Sequence, residues 1–292
     1  MYLKWLYLMA LTFVWGSMFI LIKKGLIGMG PYQLGALRIV FTTLFLAGFS
    51  YQTLKHIHKA QWKWILISGF IGAFFPSFLL ALAETEVDSS VVSMLNSLVP
   101  LNTVLLGFAV FGIASTKRQV AGIIIGFIGT SLLIFKGATL HSNQNYFYIL
   151  YVIISTLMYA ANVNIIKRFL QDVKPLYIVT GNYLSIFLPA LAVLFWSEFF
   201  TQTTFGDPNF EMAVFYVGIL ALFGTALLKL LYYKLVQIST PAFSSSVTYL
   251  IPLVAIIWGV LDGESFSAIQ GVAASVILVG VFLSNKTNIK KV

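Results

Sequence analysis

Apolar runs of about 20 residues, separated by short polar breaks, recur along this chain and constrain it more than any other feature. At 1.5 Å rise per residue, such a run crosses the roughly 30 Å hydrocarbon core of a bilayer. Of the 292 residues, 59% are hydrophobic and 9% charged, too few charges to clothe a soluble domain. A β-barrel would alternate apolar and polar residues in segments of about 10, and the run from Ala121 to Phe135 does not alternate. The runs predict ten spans, near 5–23, 32–51, 63–83, 88–112, 117–136, 146–166, 175–197, 212–233, 241–261 and 266–284. The first extends through Ile22 to Lys23 and Lys24 without a small-residue cleavage site, so it reads as a retained helix and not as a signal peptide.

Charge gives the expected orientation. With a cytoplasmic N-terminus, thirteen Lys and Arg fall on the inner side: Lys4, Lys55, Lys59, Lys63, Lys117, Arg118, Lys167, Arg168, Lys174, Lys234, Lys286, Lys290 and Lys291. Only Lys23, Lys24 and Lys136 fall outside, and the positive-inside rule then places both termini in the cytoplasm. The formal charge of +9 is spread over loops and does not form the clustered basic face that nucleic acid requires. Arg38 and Lys229 fit neither set, because both fall within predicted spans.

The chain also repeats itself. An offset of 144 pairs Trp15 with Tyr159, Lys23-Lys24 with Lys167-Arg168, Pro31 with Pro175 and Arg38 with Asn182. An offset of 152 pairs Gly72 with Gly224, Ser93 with Ser245, Asn96 with Thr248 and Val99-Pro100-Leu101 with Ile251-Pro252-Leu253. Near the end, Gly122 and Gly126 match Gly271 and Ser275 at an offset of 149. Five spans followed by five related spans must sit upside down, because five is odd. The expected fold class is thus an all-α integral membrane protein, ten transmembrane helices as two inverted five-helix repeats over 1–137 and 146–285, with a cytoplasmic basic tail at 286–292. Inverted repeats give many secondary transporters two nearly equivalent states around a site at the repeat interface.

Several of these residues resemble the EamA-type permeases of the drug/metabolite transporter superfamily. They are Trp15-Gly16-Ser17, Pro31 followed by Arg38, the small and polar run into Pro100-Leu101, the Ser-rich run into Pro252-Leu253, and Gly263-Glu264. The resemblance implies a bacterial inner-membrane protein that exports amino acids or related metabolites. The chain departs from the family pattern twice: Phe111-Gly112-Ile113 stands where a Gly-Glu ending is usual, and Glu84, Glu86 and Asp88 crowd a loop that is usually small and uncharged.

The residues themselves suggest where a solute could bind. Ser93, Asn96, Pro100 and Thr103 recur at helical spacing, as do Ser245, Thr248 and Pro252, which predicts one polar face in each of two spans. Proline donates no hydrogen bond, so Pro100 and Pro252 are expected to kink their helices and strip the carbonyls of Asn96 and Thr248 of their usual partners. These stripes either glue helices together or line a cavity. Trp15 and Tyr159 lie too deep for the interfacial aromatic belt and are expected to pack or to wall the site, with polar Ser17 and Asn162 beside them. Arg38 lies about 10 Å into the membrane and should latch to outer acidic loops or meet a solute. Lys229 should snorkel to the interface or face the cavity. The glycines at 122 and 126 and their counterparts are expected to pack helices within the bundle or between subunits of a homodimer.

The absence of cysteine, and the loop positions of His56, His58 and His141, give no metal, nucleophile or cofactor constellation, so neither an enzyme nor a cofactor is expected. A lipophilic-cation pump would want an intramembrane carboxylate, and a membrane-embedded enzyme on a lipid carrier would want an acid/base set. All nine carboxylates fall in loops or at span ends, which predicts a facilitator or exchanger without obligatory proton coupling. The leading expectation is a secondary transporter of a small polar metabolite, such as an amino acid, working in the lipid bilayer by alternating access.

Overall fold

The computed structural model describes residues 2–87, 92–93, 95–137, 146–261 and 268–285. Asp88, His141, Gly263, Glu264 and the tail 286–292 lie outside them. Among the described residues every regular element is helical. Among the described residues, six helical stretches are long and apolar enough to cross a membrane: α1 (Tyr2–Gly25, broken by a turn at Ser17 and Met18), α2 (Pro31–His56), α3 (Lys59–Ala83), α6 (Ile149–Phe169), α7 (Pro175–Trp196) and α8 (Phe210–Ile238). Four more complete the order: α4 (Asn96–Ala109), α5 (Lys117–Gly137), α9 (Pro241–Ser245 continued by Val247–Leu261) and α10 (Ala268–Asn285).

Local chemistry sets several helix starts. Pro31, Pro175 and Pro241 occupy the first turn of α2, α7 and α9, where an N–H would have no helical partner in any case. The Gly30 N–H donates to Gln33 Oε1 at 2.9 Å, and Thr240 Oγ1 accepts from the Phe243 N–H at 3.2 Å.

The partition of side chains is that of a protein dissolved in lipid. Phe108, Leu188 and Phe195 are 77%, 72% and 67% exposed, whereas Ser68, Asn164 and Asn182 have no exposed surface. Hydrocarbon does not penalise exposed apolar groups but leaves polar groups unsatisfied, so the polar groups turn inward and bond across helices. Asn164, for example, donates from α6 to the Thr103 carbonyl of α4 at 2.9 Å.

Helix packing recurs with a shift of five. α1 packs on α8 and α9, and α6 packs on α3 and α4; α2 packs on α8 where α7 packs on α3. Three further pairs, α2 with α7, α4 with α9 and α5 with α10, join equivalent helices to each other. At the α5–α10 contact, a Cβ on Gly280 would lie 2.5 Å from Gly126 N and 2.6 Å from Gly122 O. Gly122 and Gly126 therefore let α5 and α10 approach closely within the bundle, opposite Gly280. Ser275 is exposed and bonds back to the Gly271 carbonyl at 3.0 Å.

Two helices widen locally. Residues Phe70–Phe74 of α3 and Leu220–Leu227 of α8 form turns whose hydrogen bonds reach five residues instead of four. Such wide turns are rare and cluster at functional sites. They fall at repeat-equivalent places, because Gly72 and Gly224 are the pair matched at the offset of 152.

Candidate functional site

The widened turns border a central cavity with about 100 Å³ of space for water-sized groups. Seven helices line it. α1 supplies Trp15, Met18, Phe19 and Ile22; α2 supplies Arg38; α6 supplies Tyr159 and Asn162; Asn96 and Thr248 enter from α4 and α9. α3 contributes Gly72 and Leu80, and α8 contributes Gly224, Lys229, Tyr232 and Tyr233. Among the described residues, no carboxylate lines it.

The two glycine carbonyls are freed by different means. Pro76 stands four residues after Gly72 and has no N–H to give it, whereas in α8 the wider hydrogen-bond reach changes the partners. Each carbonyl takes a donor from across the cavity. Trp15 Nε1 donates to Gly224 O at 2.9 Å, and Lys229 Nζ donates to Gly72 O. Trp15 also meets Tyr232 edge to face at 5.0 Å between centroids, and Lys229 Nζ lies 5.7 Å from the centre of the Tyr183 ring.

Lys229 thus points into the bundle instead of snorkelling. Arg38 also faces inward: its Nε donates to Thr225 Oγ1 at 2.9 Å, and Thr225 in turn donates to the Leu220 carbonyl at 2.9 Å inside the wide turn. An arginine at such depth stays protonated, so the cavity holds a fixed positive charge.

A buried polar network sits behind the wall. Ser68 Oγ donates to Asn162 Oδ1 at 2.6 Å, and the Asn162 amide donates to Tyr233 Oη at 3.3 Å. The Asn182 amide, oriented to donate to the carbonyls of Ile65 (2.8 Å) and Ile178 (3.1 Å), presents its oxygen to Tyr233 Oη at 3.0 Å. Four helices, α3, α6, α7 and α8, are tied at this one phenol.

The predicted polar stripes are only half realised. Asn96 and Thr248 line the cavity, while Ser93 and Ser245 are buried off its wall. Ser245 Oγ bonds back to the Pro241 carbonyl at 2.8 Å. Ser17 also lies off the wall and bonds back to the Phe13 carbonyl at 2.8 Å. A tight three-residue turn at Asn96–Leu98 and the break at Ser246 change the helical phase, so residues spaced three or four apart no longer share a face.

The proline-freed carbonyls are likewise satisfied. Asn96 O accepts the Val99 N–H in the tight turn, and Thr248 O accepts Ser97 Oγ at 3.3 Å. Pro252 lies inside its helix, but Pro100 stands in the first turn of the segment Val99–Ala109 and starts a helix instead of kinking one. What stays open is the side chain of Asn96, whose Oδ1 is buried without a hydrogen-bond partner among the described residues.

Sequence reasoning missed Gly72, Gly224, Pro76, Thr225, Tyr232 and Tyr233 as site residues. The Gly72–Gly224 match was a usable signal, above all with Pro76 four residues on. The described histidines stay outside the site: His56 stacks on Tyr177 at 5.1 Å, and His58 caps the start of α3. Among the described residues no group of three His, Cys, Asp or Glu could hold a metal ion. Glu84, expected in a wet outer loop, is only 8% exposed.

A lipid-solvated helical bundle around a largely apolar cavity with a cation on its wall fits a membrane transport protein. The EamA-like transporter family model matches residues 3–135 and again residues 146–286, and the chain belongs to that family. It is a multi-pass membrane transporter and not an enzyme. It is 26% identical over 282 residues to the uncharacterized inner membrane transporter YedA of Escherichia coli (strain K12), covering 94% of this chain and 88% of that one. It is 25% identical over 300 residues to a chloroplastic WAT1-related protein of Arabidopsis thaliana, covering 97% of this chain and 70% of that one. A solved crystal structure, 17% identical, superposes with a TM-score of 0.71 over 96% of this chain and 95% of its own, a likeness of fold alone.

Proposed function

We propose that this protein is a secondary transporter, working as an exporter, for a small polar metabolite bearing a carboxylate, an amino acid being the favoured case. The observation that carries the reading is Arg38: a permanent cation on the wall of a cavity whose lining, among the described residues, contains no carboxylate. A solute carboxylate would supply the missing countercharge. The buried, unpartnered Oδ1 of Asn96 would accept an N–H from the same solute, and Trp15, Phe19, Tyr159 and Tyr232 would pack its apolar part. A lipophilic cation meets the wrong charge here.

Alternating access between two inverted halves would move the solute. The twofold family match, the packing pattern repeated with a shift of five, and the equivalent widened turns in α3 and α8 support this reading; ten spans with both termini cytoplasmic go with it, on the distribution of Lys and Arg along the chain. Membrane association with an inner membrane follows the relative YedA, whose name places it there.

The test is uptake of labelled amino acids and short carboxylates into proteoliposomes, with reporter fusions at Val292 and in the 199–210 loop. Uptake of carboxylates but not of the matching amines is expected, with the two reporters on opposite sides. Arg38→Gln should raise KM roughly tenfold to a hundredfold, the loss of a charged hydrogen bond of about 1.5–3 kcal/mol. Equal transport of amines would sink the assignment of charge.

A further inference from the structure

The described portion of the structure contains one buried carboxyl group that the solute site does not use. Glu84 closes the end of α3, one turn beyond the cavity-lining Leu80. Its side chain is 8% exposed, and neither carboxyl oxygen has a hydrogen-bond partner among the described residues. Leu80, Ala83 and Val87, on the turns either side, belong to an apolar cluster with Val92 and Val152, packed against Phe19 and Tyr159 of the cavity wall.

We infer that Glu84 is a proton-binding site linked through Arg38 to the solute cavity, so that a proton and an anionic solute bind together. This inference rests on the anionic reading of the cavity given above. An ionised carboxylate taken out of water without hydrogen-bond donors is disfavoured, and protonation removes that cost. Burial accordingly pushes the Glu84 carboxyl well above the usual carboxylate range, while the positive charges of Arg38 and Lys23 pull the other way. Among the described residues, the remaining titratable groups around this end of α3 are Tyr148, just before α6, Tyr151 and Tyr159 of α6, and Tyr32 of α2, which lies against Phe78 at 6.4 Å. Glu86, two residues on, is exposed to solvent.

The coupling follows from Arg38. An anion seated against Arg38 cancels the field that favours ionised Glu84, so solute binding strengthens proton binding. Linkage makes the effect reciprocal: a proton on Glu84 removes a negative charge near the cavity and strengthens anion binding by the same factor. The proton comes from water on the side where the solute enters and returns to water on the side where it leaves, so export by this route is driven by the solute's own outward gradient and opposed by an inward proton gradient. For a monoanion the loaded site carries no net added charge. The sequence expectation of a carrier without obligatory proton coupling is replaced by this one, because it rested on Glu84 being a solvated loop residue.

Infrared difference spectroscopy against pH, on the purified full-length protein without solute, tests the proton site. A protonated-carboxyl C=O band should persist at neutral pH, vanish in Glu84→Gln, and titrate at a higher midpoint in Arg38→Gln. Absence of the band, or its survival in Glu84→Gln, overturns the site whatever the solute proves to be. In proteoliposomes, a pH gradient should drive the carboxylate found in the uptake assay above its equilibrium ratio. Glu84→Gln should retain exchange while its accumulation falls to that ratio. Unchanged accumulation in that variant overturns the coupling. Transport of no carboxylate, with the infrared band intact, overturns the anionic reading and the co-binding with it, leaving the proton site standing.

Discussion

Trp15 Nε1 reaches from α1 to the Gly224 carbonyl in the widened turn of α8, 2.9 Å away, and holds two helices together across the solute cavity. Its counterpart is the bond from Lys229 in α8 to Gly72 in the widened turn of α3. Each bond satisfies a carbonyl that the regular helix would have used itself. An unpaired carbonyl at this depth has no water or lipid donor to turn to. The two bonds therefore fix how α1, α3 and α8 meet around the cavity.

Trp15→Phe keeps an aromatic ring but removes the N–H, leaving the Gly224 carbonyl unpaired at a cost of about 1–3 kcal/mol. A lower Tm of the purified protein and a changed transport rate are expected. A variant as stable and as fast as the parent would show that water replaces the indole.

Cysteine accessibility separates the two halves of each polar stripe. The chain has no native cysteine, so single replacements report cleanly. Asn96→Cys and Thr248→Cys should react with a small water-soluble thiol reagent and be protected by a transported solute. Ser93→Cys and Ser245→Cys should react far more slowly, since both side chains are buried off the cavity wall. Equal reactivity at all four would restore the continuous helical faces that spacing alone predicts.

Alanine at the two matched glycines should not be equivalent. At Gly72 an added Cβ meets the amide of Asn162, which is pinned by Ser68 and Tyr233. At Gly224 it meets Met18 Sδ at 2.8 Å, the flexible part of an adaptable side chain. Gly72→Ala is expected to lower Tm clearly, by overpacking worth about 1–3 kcal/mol, and Gly224→Ala by less. Thermal unfolding followed by size-exclusion chromatography would check the order.

Glu84 also makes a stability prediction independent of transport. Its folded pKa lies above the unfolded value because burial favours the protonated form, so the folded state binds the extra proton between the two. The stability from this group is fully present below the unfolded pKa and is lost as pH rises through the folded one. Tm of the parent should fall relative to that of Glu84→Gln over that window, and parallel pH profiles would contradict it.

Much of the architecture was legible because bilayer solvation leaves a local signature. A run of about 20 apolar residues can satisfy its backbone in hydrocarbon only as a helix or a closed barrel, and the lack of alternation removed the barrel. The matches of Trp15 to Tyr159 and Gly72 to Gly224 marked repeat-equivalent positions, all four of which line the cavity. The depth of Arg38 likewise required an inward-facing environment.

Facing and burial were decided only by the tertiary structure, for a physical reason. Spacing predicts a shared face only while the helix keeps 3.6 residues per turn. The tight turn at Asn96–Leu98, the widened turns of α3 and α8, and the break at Ser246 each reset that phase. They brought Asn96 and Thr248 to the cavity and turned Ser93 and Ser245 away. Glu84 reads in sequence as the start of an acidic loop, because hydrophobicity counts its chain neighbours and not the helices that fold over it. Its burial comes from packing between distant segments, which residue order along the chain does not encode locally.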